Sequence, residues 1–208
     1  SAEDTHGTNV AIGYQSLLVQ DAGANAYSVA VGYAAGSSIS TGVENVLIGG
    51  NAGDALTSGA YNIAIGRNAL GSEDAHGRNV AIGHAALATQ DAGADAYNVA
   101  IGMNAGTAIT TSAYNVLIGG KVGDSLTTGG GNTAIGYQAL SSEDEGNNNV
   151  AVGYNALVNM NAGADAYATA VGYNAGGAIT TGIRNTLIGG LAGDALTTGA
   201  YNTAVGMF

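Results

Sequence analysis

The sequence predicts an all-β fold, a parallel β-roll or β-solenoid of about 12 coils, and three observations carry the prediction. A pentapeptide of the form Asn, β-branched, Ala, Ile or Val, Gly recurs along the whole chain, with its glycine at Gly13, Gly32, Gly49, Gly66, Gly83, Gly102, Gly119, Gly136, Gly153, Gly172, Gly189 and Gly206. The spacings run 19, 17, 17 and 17 residues and then repeat, so coils of 17–19 residues build a 70-residue super-repeat. The apolar fraction of 46% comes largely from Ala, Val and Ile, with no Trp and one Phe, so the core must be thin. A fixed period of this length is the signature of a stacked-repeat architecture. The 208 residues are accordingly read as a single repeat domain, 1–208, with super-repeats 1–70, 71–140 and 141–208.

Numbered from the motif glycine, position −1 is always Ile or Val and position −3 is always β-branched. Position −2 is Ala except in the third motif of each super-repeat, where it is Leu47, Leu117 or Leu187. In a strand alternate side chains face opposite sides, so −3 and −1 share one face and −2 takes the other. Position −4 is Asn in ten motifs, with Ser28 and Ala168 as exceptions, and an amide there can bond the turn or stack into a ladder between coils. After the glycine comes a second short segment, such as Tyr137-Gln138-Ala139-Leu140, read as a second strand. Where Gly replaces its Leu, an apolar residue follows three places on, at Ile39, Leu56, Ile109, Leu126, Ile179 and Leu196, to fill the same core position. Turns written in Thr-Thr-Gly and Asp-Ala-Gly-Ala close each coil. At about 4.8 Å per coil the rod is roughly 58 Å long. A helix is excluded, because the β-branched residues alternate with period two and Gly interrupts every window.

Charge and composition exclude several function classes. Four basic against 15 acidic residues give a net charge of −11, which leaves almost nothing to neutralise phosphates, so no nucleic acid is expected as a partner. No apolar run approaches the roughly 20 residues of a membrane span, and neither membrane insertion nor a signal peptide is expected. Absence of Cys removes disulfides and thiolate metal sites. Lys121 is followed by Val122 and Gly123, not by the Ser or Thr of a phosphate loop. No enzyme activity and no cofactor are expected, since a repeat places its acids in copies of one environment and cannot set the pKa values of a catalytic pair apart.

Two groups of residues have partial metal-site chemistry. Residues 49–56, 119–126 and 189–196 are similar to a calcium-binding Gly-rich nonapeptide, but Ala52, Val122 and Ala192 stand where its glycine belongs and the unit is never in direct tandem. The simpler reading is a tight turn whose Asp54, Asp124 or Asp194 bonds its own backbone. Glu3-Asp4 with His6 and Glu73-Asp74 with His76 have ligand chemistry, whereas Glu143-Asp144 is followed by Glu145 and Gly146, so solvated acidic loops are expected and no metal. His84, at the phase of Tyr14 and Tyr154, is read as a surface variant.

The runs Asn9-Val10-Ala11-Ile12-Gly13, Asn79-Val80-Ala81-Ile82-Gly83 and Asn132-Thr133-Ala134-Ile135-Gly136 resemble the head repeats of trimeric autotransporter adhesins. They are equally similar to the Asn-Thr-Ala-Ile-Gly-Tyr-Gln-Ala-Leu repeats of phage tail fibres, which residues 132–140 reproduce in full. The resemblance implies left-handed β-rolls, a homotrimer, intertwined or side by side, and attachment to host or matrix surfaces. Coils here are longer than the adhesin pattern, which favours the phage fibre shaft. A thin coil with a second small-residue face also argues for trimerisation, with Leu47, Leu117 and Leu187 lining the inter-chain axis.

The expected function is therefore a structural shaft or adhesive segment of a trimeric fibre on a virion or bacterial surface. Its partners would be itself and a host glycan or receptor. The alternatives are a repetitive ice-binding or glycan-binding face and a self-stacking extracellular filament. If the rod binds anything, the first coil of each super-repeat is the place, because its two extra residues must leave the stack as a loop. Candidate binding residues there are Gln20, Asp21 and Asn25, then Gln90, Asp91 and Asp95, then Asn159, Asn161 and Asp165.

Overall fold

The structure, a computed structural model, describes residues 8–163 and 165–207. Glu3, Asp4, His6 and Phe208 lie outside the described residues. Twelve three-residue strands follow the pentapeptides: β1 (Val10–Ile12), β2 (Val29–Val31), β3 (Val46–Ile48), β4 (Ile63–Ile65), β5 (Val80–Ile82), β6 (Val99–Ile101), β7 (Val116–Ile118), β8 (Thr133–Ile135), β9 (Val150–Val152), β10 (Thr169–Val171), β11 (Thr186–Ile188) and β12 (Thr203–Val205). They form one parallel sheet in chain order, and every pairing sets −3 against −3 and −1 against −1, as in Val10↔Val29 and Ile12↔Val31. The β-solenoid read from the period is thus observed, and no helix occurs among the described residues.

Each strand stops at its glycine for two reasons. Gly13 has φ +131°, a backbone region that L side chains rarely adopt, and a Cβ added there would lie 2.3 Å from the carbonyl oxygen of Gly32 in the next coil. The same stacking of glycine on glycine continues up the rod.

The second segment differs from the strand that alternation suggests. Positions +2 and +4 after the glycine have positive φ, as at Gln15 (58°) and Leu17 (46°) or Asn68 (56°) and Leu70 (52°), so the backbone curls instead of extending. It nevertheless pairs between coils. The N–H of Asn51 donates back to Tyr33 at 2.9 Å, and that of Leu70 donates forward to Ala86 at 3.0 Å. The ladder is complete without strand geometry.

The core lies inside each chain's own coil. Ala at −2 and +3 are buried from β2 to β11, together with Leu17, Leu70, Leu87, Leu140 and Leu157 at +4, while Ala11 and Ala204 in the end strands are not. Where +4 is glycine, a Cβ on Gly36 would meet Ile39 Cδ1 at 3.0 Å and one on Gly123 would meet Leu126 Cδ1 at 2.8 Å. The residue three places on therefore fills the vacancy, as expected.

The three leucines at −2 require a correction. Leu47, Leu117 and Leu187 are buried within the single chain, at 0, 0 and 1% exposure, and do not line an inter-chain axis. Leu47 Cδ1 would lie 2.6 Å from a Cβ on Gly36 and Leu47 Cδ2 2.8 Å from one on Gly53. The leucine thus occupies the volume left by glycine in two successive coils. Close packing demands this exchange of large for small across the coil.

The asparagine column forms the expected ladder. Oδ1 of each residue accepts the backbone N–H of the next, as in Asn62 to Asn45 at 2.9 Å and Asn132 to Asn115 at 2.9 Å. Nδ2 donates to the carbonyl three residues before the next rung, as in Asn45 to Gly59 at 2.8 Å. Asn79 and Asn149, each followed by a long coil, have Nδ2 buried without an acceptor.

Candidate functional site

With Ala and Leu turned inward, the β-branched residues at −3 and −1 form the outer face of the sheet. They are half-buried or exposed in every strand. All eleven tyrosines of the sequence border this face, five at +1 and six at −5. On the +1 side, Tyr14 stacks on Tyr33 at 5.6 Å, and Tyr137, Tyr154 and Tyr173 stack in series at 5.5 and 5.6 Å. On the −5 side, Arg78 sits between the rings of Tyr61 and Tyr97 at 5.1 and 5.6 Å, and Tyr97 stacks on Tyr114 at 5.8 Å. Arg184 is likewise placed between Tyr167 and Tyr201. The solenoid repeat brings rings from successive coils to stacking distance, which cation–π and aromatic pairing both favour.

The long coils do project loops. Gly23, Gly93 and Gly163 mark their tips, with φ of +64°, +66° and +61° and open space around each. Asp21, Asn25, Asp91, Asp95, Asn159, Asn161 and Asp165 are exposed there. Gln20 and Gln90 are not binding groups of the surface, because both are fully buried. Gln20 Nε2 donates to Gly42 O at 2.7 Å, and Gln90 Oε1 accepts Nδ2 of Asn98 at 2.8 Å. The signal available in the sequence was Met160 at their phase, since a methionine there marks an interior position. The last loop residue ties back to the −5 column. Asp95 pairs with Arg78 Nε at 2.6 Å, which lowers the Asp95 pKa, and Asp165 accepts from Asn147 Nδ2 at 2.9 Å and from the Tyr167 hydroxyl at 3.1 Å. The carboxylate of Asp165 pushes the Tyr167 phenol up.

The acidic turns also depart from the solvated loops expected. Glu73 and Glu143 are fully buried, and desolvation raises both pKa values. Glu143 accepts from the N–H of Gly146 at 2.9 Å and, through its other oxygen, from that of Ala162 at 3.2 Å. It therefore anchors the loop of the following long coil. Glu73 accepts from His76 N–H at 3.2 Å, while its Oε2 has no hydrogen bond of normal geometry, the Ala92 N–H approaching closely enough only to oppose the upward shift of its pKa. The carboxylates of Glu73 and Asp74 and the His76 imidazole offer ligand atoms within 4.8 Å of one another, a set of hard and borderline donors suited to a divalent cation. No other such group of three occurs among the described residues. Asp54 and Asp124 each bond their own backbone N–H, while partial burial raises both pKa values, in agreement with a tight turn.

A shallow, open depression of about 460 Å³ lies beside the −5 column, lined among others by Tyr114, Gly130, Gly131, Asn147, Asn148 and Asp165. Its cause is local. Thr128-Gly129-Gly130-Gly131 stands where the other super-repeats have Ser58-Gly59-Ala60-Tyr61 and Thr198-Gly199-Ala200-Tyr201.

In comparisons with known proteins, no family model, no curated protein and no solved structure matches this chain.

Proposed function

We propose that the chain is a non-catalytic segment of an extracellular or virion-surface fibre, assembled as a parallel homotrimer through the outer face of its sheet and serving attachment. The observation that supports this most is the unpartnered face itself. Two columns of Val, Ile and Thr, flanked by tyrosines, run the length of the sheet, with Ile12, Tyr33 and Tyr173 about 60% exposed. At about 4.8 Å per coil the face covers on the order of 600–1,000 Å², above the largest patch of a typical monomer. Three rods in register would each bury that face against two neighbours. The Ala and Leu of −2 are already used by the chain's own core, so the interface residues are those of −3 and −1.

Light scattering tests the reading. A mass near three times the 20.1 kDa chain is expected, and Ile118→Asp should reduce it to one chain while the circular dichroism of the fold persists. A monomeric wild-type protein would overturn the assembly.

A further inference from the structure

We propose that the gap at Gly131 is a binding slot for one neutral pyranose ring of a surface glycan, stacked on Tyr114 and hydrogen-bonded by Asn148 and Asp165. The −5 column is a ladder of flat groups from Tyr61 through Arg78 and Tyr97 to Tyr114, and it breaks at Gly131. One face of Tyr114 is covered by Tyr97. Beyond the other face the next coil carries no side chain at this position, and Tyr114 remains 67% exposed. Coils on either side of the missing rung are about 10 Å apart, which leaves the thickness of one ring between them.

The rim chemistry selects the ligand. The far wall is Asn148, whose Oδ1 leans toward the vacancy, 2.8 Å from where a Cβ on Gly131 would be. Asn147 closes the floor by accepting the N–H of Gly130 at 2.7 Å, and it also donates to Asp165 at 2.9 Å. One aromatic wall opposed by an amide and a carboxylate fits a ring with an apolar C–H face and a hydroxyl edge. Asp165, a net charge of −11 and the absence of any Lys or Arg in the lining disfavour sialic acids, phosphates and nucleotides. The slot supplies attachment chemistry to the fibre reading and rests on that reading only for the source of the glycan. Solution mass tests the one and sugar binding tests the other.

The protein itself suggests the test. Tyr61, Tyr114 and Tyr201 hold φ of 61°, 64° and 60° in the same column and Gly131 has 70°, so the backbone there accepts a tyrosine as it does at those positions, and Gly131→Tyr should rebuild the rung once the exposed Asn148 side chain swings aside. Saturation-transfer NMR on the full chain would use methyl β-D-galactopyranoside, methyl β-D-glucopyranoside and the methyl glycoside of sialic acid. Wild type is expected to transfer to the C–H protons of at least one neutral glycoside. Gly131→Tyr and Tyr114→Ala should each weaken binding about tenfold or more, with the folded circular dichroism spectrum retained in Gly131→Tyr. If Gly131→Tyr does not fold, Tyr114→Ala decides alone. No transfer to either neutral glycoside, preference for the sialoside, or undiminished transfer in the folded variants would overturn the proposal.

Discussion

The second and third super-repeats solve the same packing problem at their long coils with opposite chemistry. In the second, Gln90 meets Asn98 inside the coil and the two amides bond at 2.8 Å. At the same two phases the third has Met160 and Ala168, both buried and both apolar. The first super-repeat is intermediate, because Gln20 faces Ser28 and its Oε1 is left without a partner. The turn before the loop differs in the same way. Gly146 lets Glu143 satisfy both oxygens, since a Cβ there would lie 2.4 Å from the Glu143 carboxyl carbon, whereas His76 carries that Cβ and Glu73 keeps one oxygen unbonded. Interior positions of a repeat are therefore matched pair by pair, either polar with polar or apolar with apolar. A single exchange strands a group that costs more than the missing bond.

The largest effect is expected at the carboxylate anchors. Glu143→Ala strands one buried and one half-buried N–H and should cost about 2–4 kcal/mol, whereas Glu73→Ala, which loses one well-formed bond and a weaker approach of the Ala92 N–H, should cost less. Urea denaturation of the two variants measures the difference. Equal losses would mean that the Glu73 carboxylate is held as fully as that of Glu143.

Next in size are the amide pairs. Asn98→Ala leaves Gln90 Oε1 unpaired and Met160→Gln puts an amide opposite Ala168, each at about 2–3 kcal/mol. Met160→Gln with Ala168→Asn should recover most of that loss. A coupling energy near zero in the double-mutant cycle would remove the pairwise rule. The same logic makes Ser28→Asn stabilising by about 1 kcal/mol, through a new bond to Gln20.

The smallest effect is the pH dependence. Burial raises the Glu73 and Glu143 pKa values above the ordinary 4.5, so the folded chain holds these protons at higher pH than the unfolded one. Their stabilisation is fully present below 4.5 and is lost as pH rises through the folded values. Melting temperature should therefore climb on acidification from neutrality toward 4.5 at fixed ionic strength, and Glu73→Gln with Glu143→Gln should flatten that slope. Asp95 works in the opposite sense below 3.8, where protonation releases Arg78. A slope that survives both substitutions would assign it to the half-buried Asp54 and Asp124, whose pKa values are also raised, and to the general relief of net negative charge.

Much of the rod was legible in the chain itself. The phase of the pentapeptide placed all twelve strands, the asparagine column announced its ladder, and the two-residue excess located the projecting loops. Periodicity carries that information because strand, turn and glycine constraints act within one coil. The curled second segment was missed, since Asn, Gln, Ala and Leu at +2 and +4 give no warning that their φ is positive. Only the stacking of coils, which supplies their inter-coil hydrogen bonds, holds them there.

Alternation by itself defined two faces of the strand and left open which one is inside. The tertiary structure decided it through volume. A coil this narrow admits Ala at −2 against Ala at +3, and it accepts Leu47, Leu117 and Leu187 only where Gly36, Gly53 and their counterparts make room, so the bulkier Val and Ile are turned to the surface. The same cross-section drew Gln90 and Glu143 inward, because the Ser112 carbonyl accepts Gln90 Nε2 at 3.4 Å and the Ala162 N–H donates to Glu143 at 3.2 Å from the next coil, and a one-dimensional pattern of polar letters cannot show that.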